Sequence, residues 1–238
     1  MKRIDKDGNY TTFPGVTVIA AIGNNATPFW QKVYDFLVHS KAISEHYKPL
    51  PCTSYHMTTC NLYTKEQYPD DWPSYVTKQL NFLQKLHAKL SETPLTPEIS
   101  IDDISIPDVL QLYVSLPTEQ EELIRAIARE FGLEDNVPKG FHITLAYEYN
   151  PIIEQEDYDA IKRECEKLLK FCKEEGRLTL DCPQLSYFTS MENFIPWDGK
   201  TNPFIAQGAN DSCFFSLRRL GCPELVNTIS SYFSSKFF

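Results

Sequence analysis

Two short stretches, YHMTTCNL at 55–62 and FHITLAYEY at 141–149, each set a histidine two residues before a threonine inside an apolar, β-prone run. In a strand, residues i and i+2 share a face. His56 with Thr58, and His142 with Thr144, therefore each predict an imidazole and a hydroxyl presented as a unit. Met57 and Ile143, the apolar residues between them, turn to a packed side. The chain must supply a strand at both places and a layer of structure behind each.

The surrounding pattern repeats as well. VTVIAAI (16–22) reads as a buried strand, and TPFWQKVYDFLVHS (27–40) as a helix with Thr27 as N-cap, Pro28 in its first turn and Phe29, Val33, Phe36 and Leu37 on one face. After the first His-x-Thr strand comes a breaker-rich loop, TKEQYPDDWP (64–73), in which Trp72 packs against the next helix. That helix, 73–90, carries a stripe of Val76, Leu80, Leu83, Leu86 and Leu90, and a strand follows at 98–106. The second half runs strand (109–116), helix (118–132), His-x-Thr strand, helix (154–176) and strand (177–188). Thr118 and Glu121 have capping-box spacing, and Gly132 closes that helix. Matched order in two half-chains predicts an α+β fold, bilobal with pseudo-twofold symmetry, each lobe a small, mainly antiparallel sheet backed by helices around a central cleft. The expected domain covers 1–203, with lobes of about 10–106 and 107–200, and 204–238 forms an appendage of unassigned order.

Composition narrows the partners. A net charge of −9 and a pI of about 5.1 repel phosphate in bulk, so duplex DNA is not expected. A short phosphorylated ligand in a local pocket is compatible with that charge. The opening MKRIDKDGNYTTF lacks an apolar core, so it is not read as a secretory signal, and no stretch approaches the length of a membrane span. Seven scattered cysteines, without a C-x-x-C pair, suit a reducing cytoplasm better than a disulfide framework or a zinc site. Cys165 and Cys172, seven apart on a helix, should share its buried face.

Two facing units of imidazole and hydroxyl suit phosphodiester chemistry. The hydroxyls of Thr58 and Thr144 can hold the non-bridging oxygens of a phosphate. One of His56 and His142 can take a proton from the attacking oxygen while the other gives one to the leaving oxygen. This scheme calls for no metal and no cofactor. The motifs HMT and HIT resemble the paired H-x-[ST] motifs of the two-histidine (2H) phosphoesterase superfamily. LPCTSYHMTTCNL, DDWP, VPKGFHITLAY and the late LSYFTSMENFIPW are similar to its RNA ligase/cyclic nucleotide phosphodiesterase-like branch, over about residues 10–200. The resemblance implies a bilobal fold with both motifs lining the cleft. It also implies a phosphodiesterase acting on a nucleotide or short oligonucleotide with a cyclic or 2′-linked phosphate.

Other residues stay open at this level. Tyr55, Tyr147 and Tyr187 can stack on a base or bond a phosphate, or can pack. Lys139 can attract a phosphate or be a solvated loop lysine. His39 and His46 are expected to face solvent, and His87 to pack on its helix. A binding module for a phosphate ligand or an RNA end, without turnover, is the alternative, as is RNA ligation by the reverse chemistry. Which diester is cut, which histidine is base, and the oligomeric state are not legible.

Overall fold

A computed structural model describes residues 2–23, 27–68 and 70–205. Met1–Asn202 forms one compact unit. The expected appendage falls almost wholly outside the described residues.

One nine-stranded antiparallel sheet organises the unit. Its strands are β1 (Gly15–Ala21), β2 (Tyr47–Pro49), β3 (His56–Thr64), β4 (Glu98–Ser105), β5 (Val109–Ser115), β6 (Phe141–Glu148), β7 (Leu178–Thr179), β8 (Gln184–Ser190) and β9 (Asn193–Pro196). They lie in the order β7-β4-β5-β6-β3-β1-β8-β9, with β2 against β6. The two halves of the sheet, β7-β4-β5-β6 with β2 and β3-β1-β8-β9, join where Met57 pairs with Ile143. The α+β fold with curled antiparallel halves is thus as the sequence predicts.

The lobes are not, however, consecutive halves of the chain. β4, from the first half, pairs with β5. β8, from the second, pairs with β1. A hairpin between β4 and β5 needs only the short turn Ile106–Asp108, whereas keeping β4 beside β1 would require a crossover. The stretch 177–188, expected as one strand, is two, because Pro183 lies between β7 and β8 and cannot donate to a ladder. β2 and β9 are short strands with little periodicity, and the sequence reading passed over them.

The helices are α1 (Thr27–His39), α2 (Lys41–Ser44), α3 (Trp72–Glu92), α4 (Thr118–Glu130) and α5 (Gln155–Glu174). α1 buries Phe29, Trp30, Val33 and Leu37, and Phe29 stacks on Phe171 of α5 at 5.5 Å. Cys165 and Cys172 are wholly buried on α5, as the heptad spacing implies, and the described cysteines are all free thiols. α3 opens with Asp71 as N-cap, its carboxylate accepting from the Ser74 amide at 3.4 Å. Trp72 is buried there and stacks on Tyr75 at 6.0 Å, as expected for a loop tryptophan turning into a helix.

The expected capping box of α4 does not form. Pro117 occupies the N-cap, which places Thr118 one residue too late to cap, and Glu121 instead accepts from Arg125 at 2.9 Å. The cap assigned to Thr27 falls on a side chain outside those described. His46 is also corrected. It is 8% exposed rather than solvent-facing. Its Nδ1 hydrogen-bonds the Asn150 carbonyl at 3.0 Å, and its Nε2 lies 3.7 Å from Asp157, so it ties the end of β6 to α5. His87 packs, edge-on to Trp197 at 5.7 Å, and His39 is exposed.

Candidate functional site

The Met57–Ile143 pairing decides the geometry of the two motifs. Directly opposed residues of an antiparallel pair point to the same face. Met57 and Ile143 are both fully buried, so both point into the helical layer. Their neighbours His56, Thr58, His142 and Thr144 then emerge together on the opposite face, each half-buried. In that register His56 lies across from Thr144 and Thr58 across from His142. All four residues line one cleft of ≈ 620 Å³.

Both imidazoles are held in the same way. Nδ1 of His56 contacts the Ser54 carbonyl at 2.7 Å, and Nδ1 of His142 contacts the Gly140 carbonyl at 3.2 Å. A carbonyl oxygen only accepts, so Nδ1 carries the proton in each ring and Nε2 is the lone-pair nitrogen of the neutral form. Each motif supplies its own orienting group two residues upstream.

The two histidines differ in surroundings. The ring of Phe194 lies 4.0 Å from the ring of His56, and Phe188 packs on Phe194 at 4.9 Å. Burial pushes the His56 pKa down from 6.5 to about 4. The hydrogen bond to Ser54 opposes this shift, and the nearby charge of His142 adds to it. His142 stands beside Tyr113, ring to ring at 6.5 Å, and Tyr113 is 39% exposed. One imidazole is therefore walled by phenylalanines and the other stands near a wetter tyrosine.

The remaining residues singled out from sequence separate clearly. Tyr147 lines the cleft. Its phenol is near the Thr144 hydroxyl, and burial raises its pKa. Tyr55 does not reach the cleft: it is 1% exposed and meets Trp30 edge-on at 5.9 Å, so strand alternation sends it to the helical side, opposite His56. Its role as a substrate contact is withdrawn. Lys139 is exposed in the turn before β6 and is absent from the cleft wall. Tyr187 is half-buried and also absent from the wall, while its neighbour Phe188 contributes to it.

The sequence reading missed several lining residues. Phe188 and Phe194 lie within LSYFTSMENFIPW, so a signal existed, but a hairpin bringing Phe194 over His56 was not inferred. Asn61 and Asn136 close one part of the wall by exchanging hydrogen bonds, each side-chain amide donating to the other's backbone carbonyl at 3.3 and 2.7 Å. Arg3 reaches the wall from the N-terminal segment, and no local pattern announces it. Among the described residues, no group of three or more His, Cys, Asp and Glu stands together as a metal site would require. No described helix is long and apolar enough to cross a membrane.

Residues 3–103 match the family model 2H-phosphodiest, described as a domain of unknown function (DUF1868). The uncharacterized protein 127L of Invertebrate iridescent virus 6 is 26% identical over 222 residues, covering 82% of this chain and 94% of the viral one. Among solved structures, the conserved protein of unknown function ATU0111 from Agrobacterium tumefaciens superposes with a TM-score of 0.63 at 17% identity. That match covers 82% of this chain and 89% of the other, and it supports the fold. E. coli LigT in its apo form gives 0.42 at 11% identity, covering 79% of this chain and 96% of LigT, too loose a likeness to bear on the site. His56 and Thr58 lie inside the matched stretch, and His142 and Thr144, outside it, stand across the strand pair from them. The N-terminal part of the chain, residues 3–103, is thus similar to the 2H-phosphodiest family model.

Proposed function

We propose that this protein is a metal-independent phosphodiesterase that hydrolyses a cyclic phosphate or a 2′-linked oligonucleotide diester. The observation that carries the reading is the pairing of two His-x-Thr units across Met57 and Ile143, with both Nε2 atoms left free by their carbonyl-bound Nδ1 protons.

In this reading the substrate phosphate lies between the two units, its non-bridging oxygens accepting from Thr58 and Thr144. His56, kept neutral near pH 7 by burial, takes the proton of the attacking water through Nε2. The new P–O bond forms as the bond to the leaving oxygen breaks. His142, in its protonated form, gives that oxygen its proton. Exchange with the solvent, in which His56 loses its proton and His142 regains one, then restores both rings. Each such transfer is worth about 10²–10⁴-fold. The phenylalanine wall beside His56 offers a base an apolar surface.

The test is turnover of a panel of 2′,3′-cyclic nucleotides, 3′,5′-cyclic nucleotides and 2′-5′ oligoadenylates, with EDTA present throughout. His56→Ala and His142→Ala should each abolish most of kcat, with the double variant little worse, because the pair acts as a unit. Activity that needs a divalent ion, or a histidine variant that keeps its turnover, removes this mechanism. Binding of the panel without cleavage would make the protein a phosphate-ligand module.

A further inference from the structure

Arg3 stands at an unusual place in the cleft. It lines the cavity of the two histidines, and it also lines a second cavity of ≈ 670 Å³. His142, Thr144 and Tyr147 are likewise shared by the two. Arg3 is therefore where the two spaces meet, on the His142 side. The N-terminal segment is held there by the Ile4–Tyr10 bridge, and the Tyr10 hydroxyl donates to the Lys48 carbonyl at 2.7 Å. Arg3 is thus carried by a tethered turn.

Its guanidinium lies over the ring of Phe13, 4.0 Å from the centroid, and 3.7 Å from a carboxylate oxygen of Glu66. Both members of that ion pair are more than a third exposed, at 39% and 38%. An exposed pair at that distance is weak and readily exchanged. The other side chains of the histidine cleft with a full charge are Glu66 and Asp135, both negative. Among the described residues of the cleft wall, Arg3 is the permanently charged cation that a phosphodiester meets in this acidic protein. A planar fork of donors over an aromatic ring is well suited to two phosphate oxygens.

We propose that Arg3 is a substrate-binding residue that receives the anionic phosphate of a nucleotide diester, and that Glu66 is its resting partner, displaced when substrate arrives. This rests on the phosphodiesterase reading for the kind of ligand, but not for its turnover. The ring of Phe13 lies against the guanidinium and supports it beside the cleft.

Binding is measured by calorimetry with two probes: a 2′-5′-linked diadenosine monophosphate, and its methylphosphonate analogue, which has the same shape and no charge at phosphorus. Arg3→Ala should weaken the charged probe by about ten- to a hundredfold and leave the neutral one nearly unchanged. Arg3→Lys should recover part of the loss, since an ammonium keeps the charge without the fork. Glu66→Gln should tighten the charged probe by removing its competitor. An equal loss on both probes would mean that Arg3 packs the segment and does not bind the anion. Wild-type protein that binds neither probe would overturn the inference as well. Wild-type protein that binds the diester through Arg3 and does not cleave it would remove the proposed function and leave Arg3's role in place.

Discussion

His56 links the chemistry of the cleft to the stability of the fold, and lowering the pH should expose the link. Its ordinary value of 6.5 is brought down to about 4 by burial. The unfolded chain therefore takes up a proton at this residue between pH 6.5 and 4, while the folded chain does not. Where the unfolded state binds more protons, stability falls as pH falls. The contribution is intact above about 6.5 and is lost on the way down to about 4. At about 1.4 kcal/mol for each tenfold in proton affinity, the loss is at most about 3 kcal/mol. Partial contact of the ring with solvent reduces it to about 1–3 kcal/mol.

The assay is urea unfolding at pH 7 and pH 4 for the wild type and for His56→Gln, which is neutral at both. Carboxylates titrate alike in the two proteins and cancel in the difference. The wild type should lose about 1–3 kcal/mol more than the variant over that interval. In kinetics, the acid limb of kcat/KM should bend near 4, because that limb reports the base of the free enzyme. Equal pH sensitivity in the two proteins, together with an acid limb at 6.5 or above, would refute both the burial argument and the assignment of His56 as base.

Three further outcomes test separate parts of the structure. Thr58→Ala and Thr144→Ala should each lower kcat/KM by about ten- to a hundredfold, the loss of a hydrogen bond to a charged group; a loss as deep as that of the histidine variants would give the hydroxyls more than phosphate binding. Tyr55→Phe should leave turnover unchanged and cost no stability in thermal unfolding, because the buried hydroxyl has no hydrogen-bond partner among the described residues to lose; a fall in kcat/KM would return Tyr55 to the site. Gly15→Ala should destabilise by about 1–3 kcal/mol in urea, since an added Cβ would sit 2.3 Å from Phe188 and 2.9 Å from the Tyr63 carbonyl. It should also raise KM by pushing Phe188 into the cleft, and a variant as stable as wild type would show that this approach is looser than described.

The sequence alone determined which residues share a face. Alternation along a strand is local, so His56 with Thr58 and His142 with Thr144 were legible as units without any tertiary information. The helices with strong stripes were legible for the same reason, α3 and α5 above all. Tyr55 shows the same rule neglected, because its parity relative to His56 already sent it to the core. Pairing in space was not legible. Only the contact of Met57 with Ile143 turns two separate units into four residues in one cleft, and nothing local specifies which strand a strand will meet. The exchange of β4 and β8 between the halves of the sheet has the same cause, for it depends on the length of turns and the cost of crossovers rather than on side-chain pattern. Charge and burial at the site also depend on distant chain. Phe194 covers His56 from β9, and Arg3 arrives at the cleft from the N-terminal segment. A histidine with an ordinary affinity for protons in its strand becomes a weak base only when those walls are packed around it.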